Sequence, residues 1–252
     1  MPETKPTNPK DAIGIKKVPM SCLSSQAVSL VARAFAAEAL DTIMEEMQQG
    51  EEVTFSTQFD AAVAHLMNFW EGVNDYSEPH HLARAMARIM LIRHAEMSDL
   101  LNDDRSRYSG LHVHGLNAQA ATIIEKYQDC VDPYTELGGK QRGEQLPVVI
   151  SATTPFHLLP WRVVMEMALG MMEGGRKYGR HNYRKVGVRA SVYYDATIRH
   201  LADAVEGTSV DKDSGLSHLS KALSSSQVLL DSMIMGNWVD DRPLRIVGEK
   251  TI

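Results

Sequence analysis

The chain repeats itself, and a repeat limits the fold before any other property does, because related segments fold alike and stack through matching faces. Residues 59–72 read FDAAVAHLMNFWEG and residues 194–207 read YDATIRHLADAVEG, an offset of 135 that aligns Asp60 with Asp195, His65 with His200, Glu71 with Glu206 and Gly72 with Gly207. After a loop two residues longer in the second copy, HLARAMARIMLI from His81 faces HLSKALSSSQVL from His218, pairing Arg84 with Lys221. Two ordered blocks at one spacing point to an internal duplication.

Each copy reads as two helices joined by an acidic loop. Tyr194, Ile198, Leu201, Ala202 and Val205 form one apolar stripe of an α-helix that Gly207 ends. Leu219, Ala222, Leu223, Ser226, Leu230, Met233 and Ile234 form the next, with Ser220, Ser224 and Ser225 keeping that helix thin on its other faces. Trp161 to Met172 is helical by pattern and closes at Gly174-Gly175, and Val28 to Met47 is its counterpart in the first half. Between the halves, 102–147 is rich in turn signals around a short helix near Ala118 to Tyr127, and one short strand is allowed near Pro147 to Ala152. The fold class expected is all-α: a helical bundle of two related halves, a pseudo-dimer with a long loop connection. The expected divisions are an N-terminal segment 1–20, a degenerate first repeat 21–101, a connecting region 102–150 and a second repeat 151–252.

Composition agrees, since 44% apolar residues supply a core and 6% aromatics with 14 methionines suit helices better than a sandwich of short strands. No apolar run approaches the roughly 20 residues of a bilayer span, so no membrane is expected. The polar opening MPETKPTNPKD lacks a signal-peptide core, and Cys22 and Cys130 form no CxxC, so a reducing, cytoplasmic setting follows. A net charge of −6 argues against a nucleic-acid-coating surface but leaves room for a local cationic pocket.

Residues 176–189, RKYGRHNYRKVGVR, are that pocket's candidate: Arg176, Lys177, Arg180, Arg184, Lys185 and Arg189 occur without one acid. Arginine forks bind phosphate oxygens, glycines let the backbone approach, and Tyr178 and Tyr183 offer flat faces to a base. A solvated basic loop reads equally well from composition. Asp195, Arg199, Asp203 and Glu206 share one side of their helix, by default a solvated face of Asp–Arg pairs. The following DKDSGLSH brings Asp211, Asp213 and His218 close, and Glu166 and Glu173 on the preceding helix face the same way. Clustered oxygens of this kind suit Mg²⁺. P-loop, dinucleotide and nucleophile-elbow motifs are absent.

NPKDAIGIKKVP, MEGGRKYGRHNYR, VYYDATIRHL, EGTSVDKDSGLSHL and GNWVDDRP together resemble a mainly bacteriophage family of dATP/dGTP diphosphohydrolases, N-terminal type, over residues 8–20 and about 160–243. The interval 21–149 departs from that pattern and looks like an insertion carrying the degenerate copy. The resemblance implies hydrolysis of a purine deoxynucleoside triphosphate to monophosphate and pyrophosphate with Mg²⁺ or another divalent cation, in the host cytoplasm if phage-encoded. The EExxE and ExxD acids of other all-helical enzymes of this chemistry are not matched: Glu45-Glu46-Met47-Gln48-Gln49 ends in glutamine, and His218 and Lys221 stand where the ExxD acids would.

The site is accordingly expected in the second half. Glu173, Asp195, Glu206, Asp211 and Asp213 are the pool for metal ligands, and His200, His218 and Glu206 are the candidate catalytic groups. Lys177, Tyr178, Arg180, His181, Asn182, Arg184, Arg199 and Lys221 are expected on the nucleotide, with Lys10, Asp11 and Lys16 folding over it. The first half keeps Asp60, His65, Glu71 and His81 but has Ala64 for Arg199 and no basic loop, so it is expected to supply partner helices. Two other readings fit the same residues: a non-catalytic nucleotide binder or sponge, and a protein contacting a nucleic-acid backbone. Homo-oligomerisation through the thin serine- and alanine-rich helix faces stays open.

Overall fold

The computed structural model describes residues 16–73, 78–105, 113–126, 143–148 and 150–243. In the first half these form α1 (Ser25–Ala37), α2 (Leu40–Gln48), β1 (Val53–Thr54), α3 (Phe55–Trp70), α4 (His81–Met97) and β2 (Leu101–Asn102). After α5 (Val113–Lys126) the order recurs as α6 (Trp161–Tyr178), α7 (Asn182–Val186), β3 (Val188–Arg189), α8 (Ala190–Val205), α9 (His218–Ile234) and β4 (Trp238–Val239). The protein is therefore all-α, in two halves of the same plan.

The core lies between α4 and α9. α4 buries Leu82, Met86, Ala87, Ile89, Leu91, Ile92 and Ala95 on faces all around its axis, and α9 likewise buries Leu219, Ser220, Ala222, Ser226, Leu229 and Met233. A helix buried on every side needs neighbours on every side, whatever polar groups it carries. Each therefore packs on the other, on the hairpin partner before it (α3 or α8), and on both α1 and α6.

Each half closes with a pair of parallel strands, Val53 against Leu101 and Val188 against Trp238. Neither α3 nor α8 is capped by the side chain of its own N-cap residue. The orphan donors are met instead by an acid just past the second strand: Asp104 accepts from the backbone N–H and hydroxyl of Ser56, and Asp241 from those of Ser191. The next residue ties the halves together. Arg105 donates to the carbonyl of Ala204 at the end of α8 (2.7 Å), and Arg242 donates to that of Phe69 at the end of α3 (2.6 Å). Each half also lends a short turn to the other, Met20–Cys22 packing on α6 and Phe156–Leu158 on α1.

Several details differ from the sequence reading. α6 does not close at Gly174-Gly175 but continues to Tyr178, because neither glycine there adopts positive φ; the chain turns at Gly179, where φ is +95°. Val28 to Met47 is two helices, broken at Ala39 with φ +51°. The connecting helix begins at Val113 and runs to Lys126, Tyr127 lying outside the described residues. The described residues of 147–152 contain no strand, and the strands among the described residues are two-residue pieces elsewhere. The serine-thinned face of α9 behaves as read: a Cβ at Gly170 of α6 would collide with Ser224 Oγ, so the two helices meet at a glycine and a serine.

Candidate functional site

A pocket of about 540 Å³ opens in the second half between α6, α7, α8 and α9. Helical spacing builds it. Gly170, Gly174 and Lys177 lie along one stripe of α6, Val192, Ala196 and Arg199 along one of α8, and Lys221, Ser224 or Ser225 and Val228 along one of α9. The middle of each stripe is small, so the helices enclose space while their ends carry charge. The basic segment closes the pocket with Tyr178, Arg180, His181, Asn182 and Tyr183, and Cys22 enters from the first half's exchanged turn.

Four cations line this pocket, Lys177, Arg180, Arg199 and Lys221, against one carboxylate, Glu173. Glu173 accepts from Lys177 (2.5 Å) and from Lys221. Burial works against its ionisation, but the two lysines prevail and hold its carboxyl below the usual range. Arg180 donates to the carbonyl of Ser21 (2.6 Å), which His181 also meets at 3.2 Å. Arg199 makes no hydrogen bond among the described residues and is exposed along the pocket wall. The pocket is thus a positively charged cavity holding only one compensating acid.

Arg184 has a different task. Its Nε and Nη2 donate to the two oxygens of Asp231 at 2.6 and 2.9 Å, and the Asp231 side chain is fully buried. That fork pins α7, and with it the basic segment, onto α9. Tyr183 sits in the same cluster, its hydroxyl pushed up in pKa by burial and by Asp231. Arg176 and Lys185 are exposed and do not line the pocket.

Beside the pocket, His200 of α8, Asp211 of the loop and His218 at the start of α9 bring one ligand atom each within 4.8 Å of one another, a group that could hold a metal ion. The two Nδ1 atoms stand 3.0 Å apart. Burial, His218 and Lys221 push His200 down to about 4, so its ring is neutral at pH 7. Asp211 Oδ1 accepts from the Ser214 N–H (2.8 Å) and hydroxyl (2.6 Å). Burial opposes its ionisation, but these bonds and Lys221 hold its carboxyl below the usual range. Lys221 thereby acts on both the pocket and the His/Asp group.

Of the residues read from sequence as metal ligands, only Asp211 joins this group. Glu173 is committed to two lysines, Asp195 is half-buried on α8, and Glu206 and Asp213 are exposed. No ligand group of carboxylates alone forms among the described residues. Glu206, at the C-cap of α8, lines neither the pocket nor the group. Glu166 is held by Arg93 and Ser220. Lys16 is exposed and does not line the pocket, and Lys10 and Asp11 lie outside the described residues. Asp203 departs from the solvated face expected for it: it is 8% exposed, with its carboxylate 3.6 Å from His218 Nδ1. Its position three residues after His200, one helical turn on, was the available signal.

The first half carries an ion-paired cluster at the matching positions. Glu38 accepts from Arg84, the counterpart of Lys221, and from Arg88 (2.6 Å). Arg88 also donates to Gln58 at 2.8 Å. By the repeat offsets Arg88 and Gln58 occupy the positions of the pocket residues Ser225 and Tyr193. His65 and His81 keep the 3.0 Å Nδ1 pair, but among the described residues they belong to no three-membered ligand group.

Fold and site together define a duplicated helical protein with a cationic pocket beside a His/Asp group. The pattern of the family described as dATP/dGTP diphosphohydrolase, N-terminal, matches residues 7–105 and 149–242, and the chain belongs to that family. The first matched segment runs unbroken from the N-terminal block to Arg105, so the first half is family sequence in its own right and not an insertion. No curated protein and no solved structure matches the chain. No helix among the described residues is long and apolar enough to cross a membrane.

Proposed function

We propose that the second half hydrolyses a purine deoxynucleoside triphosphate, dATP or dGTP, to the monophosphate and pyrophosphate. One observation carries the reading: four cations against one acid line a nucleotide-sized pocket that adjoins a group able to hold a metal ion. About 300–1,000 Å³ is the usual size of small-molecule sites, and this pocket falls within it.

Arg199, with no hydrogen bond of its own among the described residues, is the first cation available to a phosphate. Lys177 and Lys221 share one carboxylate, so an incoming triphosphate competes with Glu173 for both and leaves the site close to neutral. Tyr178, 73% exposed at the mouth, and the half-buried Tyr193 offer ring faces to a base. A divalent cation, for which the donor set of His200, Asp211 and His218 is suited, would place positive charge on phosphoryl oxygens and lower the pKa of a bound water. The first half, with Arg88 at the position of the pocket residue Ser225, serves as the partner that completes the bundle and supplies Ser21 and Cys22 to the site.

The test incubates purified protein with each dNTP and NTP and a divalent cation, resolving products by ion-exchange chromatography. Monophosphate with pyrophosphate from dATP or dGTP is expected. Saturable binding with every triphosphate left intact would identify a nucleotide binder instead.

A further inference from the structure

We infer that His200, Asp211 and His218 bind a first-row transition-metal dication, such as Mn²⁺, Co²⁺ or Zn²⁺, and discriminate against Mg²⁺. The inference rests on the proposed hydrolysis for its role in the protein but not for its chemistry.

The donor set decides the class of ion. Mg²⁺ takes oxygen ligands in an octahedron and keeps several waters, whereas imidazole nitrogen suits Mn²⁺, Co²⁺ and Zn²⁺. Two of the three protein donors here are imidazoles. Their spacing fits ligation too. One ligand atom from each of the three residues lies within 4.8 Å of the others, a span that nitrogen and oxygen ligands about 2.0–2.2 Å from one ion can occupy. Both bonds that Asp211 accepts from Ser214 end on Oδ1, so Ser214 fixes the carboxylate while Oδ2 is left to a ligand.

A second observation asks for positive charge at the same place. Asp203 is buried, and its one ion-pair partner among the described residues is the His218 ring at 3.6 Å, beyond hydrogen-bond reach and positive only when protonated. Its side chain keeps 12% exposure, so water serves it in part, and a positive charge beside a carboxylate so nearly buried counts for more than it would in bulk water. A dication held by His218 would supply that charge. The carboxylates that would have favoured Mg²⁺ are engaged or apart: Glu173 belongs to two lysines, and Glu206 and Asp213 are exposed and outside the group.

The experiment titrates the metal-stripped full chain with Co²⁺, following the visible absorption of nitrogen-ligated cobalt, and repeats it with Mn²⁺ by electron paramagnetic resonance. Saturable binding that a hundredfold excess of Mg²⁺ leaves in place is expected. Asp211→Asn, at a half-exposed loop residue, and His200→Gln should each weaken Co²⁺ at least about tenfold while circular dichroism stays that of the parent. Displacement of Co²⁺ by Mg²⁺ at equal concentration overturns the inference, as does unchanged affinity in either variant. A chain that binds Co²⁺ in this way yet leaves every triphosphate intact refutes the proposed hydrolysis alone. Hydrolysis supported by Mg²⁺ without Co²⁺ or Mn²⁺ binding refutes this inference alone.

Discussion

The Arg184–Asp231 fork is the contact on which the basic segment hangs, and removing it gives a measurable prediction. Asp231 is fully buried and takes two charge-assisted bonds from a guanidinium whose side chain is 36% exposed. Breaking a buried pair by deleting one partner costs about 3–5 kcal/mol, and the partial exposure of Arg184 places this one near about 3 kcal/mol. At about 2–4 °C per kcal/mol for a chain of this size, Asp231→Ala should lower the melting temperature by roughly 6–12 °C. Arg184→Ala should cost at least as much, because it strands a buried carboxylate. Urea unfolding of the parent, both single variants and the double variant gives the coupling, expected at about 1–3 kcal/mol with the double variant recovering part of the loss. Nucleotide affinity should fall in the same variants, since α7 carries Asn182 and Tyr183 into the pocket although Arg184 does not line it. Single-variant costs below about 1 kcal/mol that simply add would show that the segment is held by something else.

Two of the three glycines of α6 should separate cleanly. Gly170→Ala meets Ser224 and should destabilise by about 1–3 kcal/mol, whereas Gly174→Ala meets nothing within 4 Å and should stabilise by about 0.5–1 kcal/mol in thermal melts; equal effects would contradict the close approach of α6 and α9. Lys221→Gln should reduce dATP or dGTP hydrolysis at least about tenfold, the range for losing a charged contact to a phosphate, and steady-state rates within twofold of the parent would remove Lys221 from the site. In the first half, burial raises the Glu38 carboxyl but Arg88, His65 and Arg84 outweigh it and leave its pKa below 4.5. A depressed folded-state pKa contributes stability that is present above the unfolded value and lost as pH falls through the folded one. Unfolding free energy should therefore drop below about pH 4.5 in the parent, and Glu38→Gln should flatten that limb; an unchanged acid limb would show that the glutamate is not so held.

The helix pairs were legible because their stripes and the repeat carry the same message, and Gly207 marks the end of α8 in both. The strands were not, since two residues have no periodicity and their partners lie 48 or 50 residues away. A signal existed nonetheless: Asp103-Asp104-Arg105 and Asp240-Asp241-Arg242 repeat at the spacing of the second helices, and these residues cap the bundle and cross between halves. Local spacing placed Asp203 on a solvated face because it could not show that His218 returns over that face. It also pooled five carboxylates, of which Asp211 alone joins the His/Asp group while Glu173 is taken by two lysines. The pocket's cations were readable from composition, but which were free was not: Arg184 looks like Arg180 until Asp231, 47 residues on, is seen beneath it.

Arg88 in the first half bears on how such a chain can change. In a symmetric pair of identical subunits every substitution is made twice, so a residue that plugs one cavity plugs both. Once the two copies are joined in one polypeptide, each mutates alone. An arginine could then stand at position 88 of one copy while the other kept the small Ser225 in its pocket wall. The ion-paired copy is free to be selected for rigidity, and the one with the pocket is relieved of holding the assembly together, a division of labour that a homodimer cannot reach by any single mutation.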